Sequence, residues 1–228
     1  TRIFILLIGT FLFLEAINIC TGSVFLYVSY KNLEYEFETG NNERVLHALI
    51  NDINALEMTA SDWATWDDMY DFVTTRNTAF RDSNFNATSL KNNKLNLLYC
   101  FDRDGRKIWG MDYDFENDKT ESYGLLPHNR LDSSSPLFVA TRGPDGMKTD
   151  SVSGILDTPE GYLLVSACPV VRSDRSGSPD GTLVMGKFLN QSLRKKLEKQ
   201  TNLTFDVVPV LGVPVDRMRI VVLKDLNL

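Results

Sequence analysis

The sequence predicts an α+β fold: a long N-terminal helix, part membrane anchor and part extracytoplasmic segment, packed on an antiparallel sheet of about five strands. Three observations predict it. An apolar run fills Ile3–Tyr30, and a one-sided stripe in steps of three and four runs from Leu46 to Tyr70. From Leu95 onward the pattern shortens into strand-length segments separated by turn residues. Helix first and strands afterwards, rather than the two alternating, is the α+β order. The predicted organisation is a membrane helix over 1–30, a helical segment over 31–75 and a sheet domain over 76–228.

The apolar run comes first. About 20 mostly apolar residues cross a bilayer, so Ile3–Tyr30 is long enough to span with some tilt. Glu15 sits near its middle, and a central charge costs roughly 2.5–3.5 kcal/mol on insertion scales. The surrounding Ile, Leu and Phe offset that. The rival reading is a cleaved signal peptide with Ile3–Leu14 as its core. No clean small-x-small site follows, and apolar character resumes at Val24–Tyr30, which favours an uncleaved anchor. The chain starts Thr1-Arg2 without Met, so further residues are expected upstream. Arg2 precedes the run, while Lys31 is followed by Glu34, Glu36 and Glu38. Positive-inside counting puts the N-terminus in the cytoplasm and the bulk outside.

Beyond the anchor, Gly40-Asn41-Asn42 predicts an interruption of the helix. The stripe Leu46, Leu49, Ile53, Leu56, Ala60, Trp63, Asp67 and Tyr70 then predicts one helical face, ending near Thr74-Thr75. Spacing does not decide between a dimer seam and packing on the chain's own sheet. The Asn-, Ser- and Thr-rich stretch Arg76–Lys94 holds one short helix around Ala79–Phe85. Leu95–Phe101 and Lys107–Tyr113 read as a hairpin around the turn Asp102-Arg103-Asp104-Gly105. Glu116–Ser134 reads as loop, partly helical at Leu125–Leu131. Ser151–Leu156, Tyr162–Val171 and Gly181–Leu189 are the next strands, and Gln191–Gln200 is an amphipathic helix. Phe205–Val210 and Arg219–Leu223 are further strand candidates.

Composition narrows the function. Lys plus Arg is 24 against 30 Asp plus Glu, a net charge of −6, so no nucleic-acid partner is expected. Three cysteines make no disulfide framework or zinc spacing, and two distant histidines argue against metal catalysis, so no metal and no cofactor is expected. Gly181–Lys187 has the spacing of a phosphate-binding loop, but Phe188 stands where Ser or Thr would ligate magnesium, and Leu183-Val184-Met185 reads as a strand. Asp102–Gly105 lacks the later ligands of a calcium loop and reads as a turn.

The informative segment is Asp62–Phe72, DWATWDDMYDF. On a helix, Trp63, Trp66, Asp67 and Tyr70 share a face. Two indoles, a phenol and a carboxylate either anchor that helix on a core or form a pocket for an amine or another polar small molecule. The two roles are compatible.

This segment resembles the signature of the fourth CHASE family of extracytoplasmic sensory domains. Further matches follow in order: Phe101–Gly105, Gly110-x-x-Tyr113-Asp114, Cys168-Pro169-Val170-Val171-x-Ser173, and Gly177-x-Pro179-x-Gly181 running on to Leu189. Lys187 departs from the Arg that the resemblance leads one to expect; it keeps the charge without the planar fork. The resemblance implies a PAS/Cache-like sensor between two membrane helices of a bacterium or archaeon. Its output would be a cytoplasmic histidine kinase or a cyclase or phosphodiesterase of cyclic di-GMP. The second membrane helix and the output would lie beyond Leu228. It adds Tyr113 and Asp114 to Trp63, Trp66, Asp67 and Tyr70 as candidate ligand-binding residues, with no catalytic residue. The expected partners are an unidentified small molecule, the membrane through the N-terminal helix, and a second copy in a homodimer. The alternative is a protein-interaction or dimerisation module with no small ligand, its seam formed by Leu46–Trp63.

Overall fold

The computed structural model describes residues 2–126, 129–139, 151–207 and 220–222. The chain divides into two compact units, Thr1–His47 and Ala48–Leu228, and helix α1, Arg2–Ala64, belongs to both. Gly40-Asn41-Asn42 does not interrupt α1. One interior Gly costs about 1 kcal/mol relative to Ala, which a helix of 63 residues absorbs. Arg44 also donates to Asn41 Oδ1 one turn back.

In the first unit, Arg2–Lys31 is long and apolar enough to cross a membrane, with a mean hydropathy of 2.3. Phe4, Leu7, Phe11, Leu14 and Phe25 are exposed. Thr10 and Thr21 turn their hydroxyls back to the carbonyls of Leu7 (2.9 Å) and Ile17 (2.8 Å). Their donors are thereby satisfied inside the helix.

The second unit is built on one antiparallel sheet. Its strands are β1 (Leu97–Asp102), β2 (Lys107–Asp114), β3 (Lys119–Glu121), β4 (Val152–Thr158), β5 (Gly161–Val170), β6 (Gly181–Phe188) and β7 (Ile220–Val222). Their order is β3-β2-β1-β6-β5-β4-β7. The five strands β2-β1-β6-β5-β4 form the expected PAS/Cache-like sheet; three-residue edges at β3 and β7 raise the count to seven. β7 falls within the expected Arg219–Leu223, whereas β3 lies in a stretch read as loop. Phe205–Val207 is not a strand, and 208–210 lies outside the described residues.

Side chains alternate between two cores. Leu98, Cys100, Leu164, Cys168, Leu183 and Met185 face the helices. Leu97, Phe101, Leu163, Val165, Ala167 and Val184 face the other way. This is the period of two that a sheet buried on both faces requires. Leu49, Ile53, Leu56, Ala60 and Ala64 of α1 are buried in the first core, so the stripe packs on the chain's own sheet. Asp52, 6% exposed on the same helix, accepts from Lys196 Nζ at 2.6 Å and lies 3.8 Å from Lys187 Nζ. Lys187 thus makes a single point contact where a planar fork would grip twice. Burial lowers its pKa against the pull of Asp52.

The Asn-rich stretch makes two short helices where one was expected. α3 (Thr78–Asn84) and α4 (Ala87–Asn92) follow α2 (Asp67–Thr75). Asn77 and Asn86 accept from Ala79 N and Ser89 N, both at 3.0 Å, and so cap α3 and α4. Asn190 caps α5 (Gln191–Thr201) in the same way. The second core is closed by an irregular strap, described at 122–126 and 129–139, carrying Leu126, Leu131, Leu137 and Val139. The helix expected at Leu125–Leu131 does not form where the strap is described. The strap instead bonds to the β1–β2 turn, through Lys107 N to Asn129 O and Leu131 N to Gly105 O. Tyr99 lies across β2 at Gly110, where any Cβ would collide with its ring.

Because Leu56 is buried in a core that α1 shares with the sheet, Leu56→Ala is expected to lower the unfolding free energy by about 2–5 kcal/mol in a urea melt. The mass of the particle, read by light scattering, stays the same. A seam residue would give the opposite pair of results.

Candidate functional site

Helix α1 stops at Ala64, one turn earlier than a continuous stripe requires. Trp66 is extended (φ −73°, ψ 137°), and α2 starts at Asp67. Trp63 and Tyr70 therefore lie on two helices and not on one face of a single helix. Thr65 helps close the end, bonding its hydroxyl back to Ser61 O at 3.0 Å. The freed carbonyl of Ala64 accepts from Val171 N at 3.1 Å. The break thus docks the helical layer on the connection between β5 and β6, 171–180.

The motif side chains complete that docking. Asp67 accepts from Ser173 N at 3.0 Å and Ser173 Oγ at 2.8 Å. Those two bonds, with Arg172 nearby, hold its carboxyl below the usual range. The Tyr70 hydroxyl donates to Asp180 Oδ2, and the Arg172 guanidinium lies 4.4 Å from the centre of the Tyr70 ring. The bond to Asp180 and partial burial raise the Tyr70 pKa. Arg103, from the β1–β2 turn, reaches Asp180 at 3.6 Å. Arg76, at the end of α2, reaches Asp102 at 3.1 Å. Asp102 also accepts from Asp104 N and Arg106 N, making the turn read from sequence. Gly181 lets the layers close, since a Cβ would stand 2.8 Å from Val73 Cγ1.

The indoles belong to an aromatic stack beneath. Trp63 and Trp66 stack at 5.4 Å, and Trp63 lies parallel to Phe85 at 6.3 Å. Phe85 in turn meets Trp109 of β2 at 4.9 Å. Such pairs contribute about 0.5–1.5 kcal/mol each beyond their buried area.

Tyr113 and Asp114 lie at the other end of β1, a strand length of roughly 17 Å away. The Tyr113 ring is in the helix-side core, and its hydroxyl donates to Asp118, which Lys91 pairs at 2.8 Å. Asp114 accepts from Asn117 Nδ2 (2.6 Å), Glu116 N and Asn117 N (both 3.1 Å), closing the β2–β3 turn. These bonds hold its carboxyl low. Asp114 also lines a cleft of about 220 Å³ with Tyr123, Glu160, Tyr162 and Phe188. The six candidates thus fall into two places: Trp63, Trp66, Asp67 and Tyr70 at one end of the sheet, Tyr113 and Asp114 at the other. Arg172 and Asp180, on which Tyr70 rests, escaped the sequence reading because they fill positions its motifs leave open. Tyr123 escaped it because it lies in a stretch without periodicity, and Tyr162 because it read only as the first residue of a strand.

The CHASE4 domain family matches residues 48–208. The chain belongs to the CHASE4 domain family. It is an extracytoplasmic sensory input domain, from a family of sensory modules and not of catalysts. It is 27% identical over 160 residues to the "Methanogenesis regulatory histidine kinase FilI" of Methanothrix harundinacea (strain 6Ac). That match takes in 70% of this chain and 17% of the relative, so the chain spans only that fraction of the relative's length. Among solved structures it is similar to the extracellular domain of vpHK1S-Z8, with a TM-score of 0.48 and 17% identity over 68% of this chain and 58% of that one. It is also similar to the periplasmic domain of Vibrio cholerae LuxQ, with a TM-score of 0.47 and 16% identity over 72% and 70%.

A carboxyl held low stabilises the fold above the ordinary Asp value of about 3.9, and that contribution disappears as the pH falls through the lowered value. Asp67→Asn is therefore expected to melt below the wild type at pH 7, with the difference closing below about pH 4. Tyr70→Phe, which removes a partly exposed bond to a carboxylate, is expected to cost about 1 kcal/mol at pH 7 in a chemical melt.

Proposed function

We propose that this CHASE4 domain is the outward-facing input of a membrane receptor that detects a small molecule and drives a cytoplasmic histidine kinase, or a cyclase or phosphodiesterase of cyclic di-GMP. The observation that carries the reading is order along the chain. A membrane-length apolar helix, Arg2–Lys31, precedes the family match at 48–208. Its host is the cytoplasmic membrane of a bacterium or archaeon, with 48–208 on the outer side. The histidine kinase named for the relative favours that output over the cyclic di-GMP enzymes. The receptor works as a homodimer whose helices report the state of the sensor inward.

The chemistry of the chain supports a mechanism through α1. That helix is held to the sheet by an apolar stripe and by Asp52 on Lys196 and Lys187. A ligand that fits one seating of α1 better than another shifts the balance by the difference in its affinities, about 1.4 kcal/mol for each tenfold. Contacts common to both seatings shift nothing.

Two measurements test this. Met58 is 73% exposed on α1, so in a variant whose three cysteines are replaced, Met58→Cys is expected to react with a membrane-impermeant maleimide on intact cells. Labelling only after lysis would reverse the orientation. Joined in frame to the membrane and kinase half of a known receptor kinase, the chain is expected to change autophosphorylation at least threefold with some member of a small-molecule panel. A rate indifferent to every member, in a folded chimaera, would sink the small-molecule reading.

A further inference from the structure

The cleft at the Asp114 end of the sheet has a composition unlike that of the motif end. Asp114, Glu116 and Glu160 stand around it, Tyr123, Tyr162 and Phe188 form aromatic surface within it, and among the described residues no Lys or Arg lines it. The motif end instead carries Arg76, Arg103 and Arg172, each against an aspartate or a ring. Lys119, whose field reaches Asp114, is tied to Glu121. The positive end of α5 also faces the cleft, but Asn190 Oδ1 accepts from Leu193 N there at 2.9 Å. Tyr123 meets Phe188 edge to face at 5.1 Å, so two ring systems are held in fixed relation. Aromatic faces and carboxylates around one space attract the same class of guest, a cation with an apolar body. A volume of about 220 Å³ is smaller than the ~300–1,000 Å³ typical of drug-sized ligands and suits a compact one.

We infer that this cleft binds a small organic cation, a compact ammonium compound, and that it is the ligand site of the sensor. The inference rests on the sensory reading above and moves its ligand away from the Trp63–Tyr70 end, where the polar groups are spent on protein partners. Asp114 is a fit counter-charge. Its three internal hydrogen bonds fix its position, and a carboxylate has about four acceptor sites. Glu160, in the β4–β5 turn, is exposed and supplies a second charge.

The cleft is wired to both faces of the sheet. Tyr123 begins the strap, and its backbone N–H donates to Asp112 Oδ2 at 2.9 Å. Asp112 is buried at 5% exposure, where the Tyr99 hydroxyl and the Tyr123 and Gly124 backbone N–H groups surround its carboxyl. Movement of Tyr123 therefore bears on one of the bonds that hold a buried carboxylate. On the helix side, Leu189 N bonds Tyr162 O at 2.8 Å at the root of α5, and Lys196 of α5 holds Asp52 of α1. A cation seated among these residues bears on the strap and on the helix that reports it.

The test uses the full chain in detergent, titrated with tetramethylammonium chloride and, separately, methylammonium chloride, against sodium chloride at equal ionic strength. A saturable rise in melting temperature is expected for at least one ammonium salt. Calorimetry is expected to show a Kd weakened at least tenfold in Glu160→Gln and in Tyr162→Ala, two positions whose replacement leaves both cores intact. No saturable response to either salt, from a chain that melts cooperatively, would overturn the proposal. So would binding that survives both variants. If binding were lost in Trp66→Ala instead, the cleft would be wrong while the chemosensory reading stood; a chimaera indifferent to every ligand would remove that reading itself.

Discussion

Burial of Leu49, Ile53, Leu56, Ala60 and Ala64 against the helix-side face of the sheet is the interaction on which the rest of the sensory unit depends. Each fully buried aliphatic side chain contributes about 1.5–3 kcal/mol relative to exposure. Among the described residues, the other helices on that face, α2 to α5, have at most 11 residues each. Alternation along β1, β5 and β6 makes sense only if both faces are covered. α1, joined by the shorter helices α2 to α5, covers one and the strap covers the other. The small residues Ala60 and Ala64, both fully buried, let the last turns of α1 approach close enough for Ala64 O to meet Val171 N.

That close approach sets the position of everything in the Trp-rich motif. Once α1 ends at Ala64, the chain must turn, and α2 restarts with two acids in its first turn, the favourable end for negative charge. Asp67 and Tyr70 then fall on Ser173 and Asp180, while Arg76 and Arg103 tie in the β1–β2 turn. Four segments meet there, with partners as much as 110 residues apart. Each bond is partly solvent-exposed and modest alone. Together they hold in place one end of a helix whose other contacts with the sheet unit are an apolar stripe and the pairing of Asp52 with Lys196 and Lys187. The motif is first of all a clamp on the end of that helix.

The two ends of the sheet differ in charge for the same structural reason. At the motif end the turns carry arginines that satisfy the aspartates closing them. At the other end Asp114 closes its turn with backbone and amide donors alone, so its charge is stabilised without being neutralised by a directly paired cation. Carboxylates held that way, beside tyrosine rings, leave an attractive field for a guest.

Much of this was set by the linear order of residues. The apolar run Ile3–Tyr30, the three-and-four stripe and the strand-length segments determine a helix-then-sheet chain, because each is a local periodicity. The motif pieces determined the family, and the Asp102–Gly105 turn formed as read, because Asx turns close within four residues. What depended on distant partners was decided only by the tertiary structure. The face taken by the stripe is one case, since a seam and a core share one spacing. The break at Thr65-Trp66 is another, since it is stabilised by Val171 and Ser173 a hundred residues on. The continuity of α1 through Gly40 is a third: a local helix breaker costs about 1 kcal/mol, and a long helix absorbs it. Edge strand β3 and the strap form because β2 and the second core offer them partners, not because their own residues prefer an extended chain. The cleft is the extreme case. Asp114 ends β2, Tyr123 lies at the start of the strap, and Glu160 and Tyr162 flank the start of β5; only the pairing of strands brings them around one space.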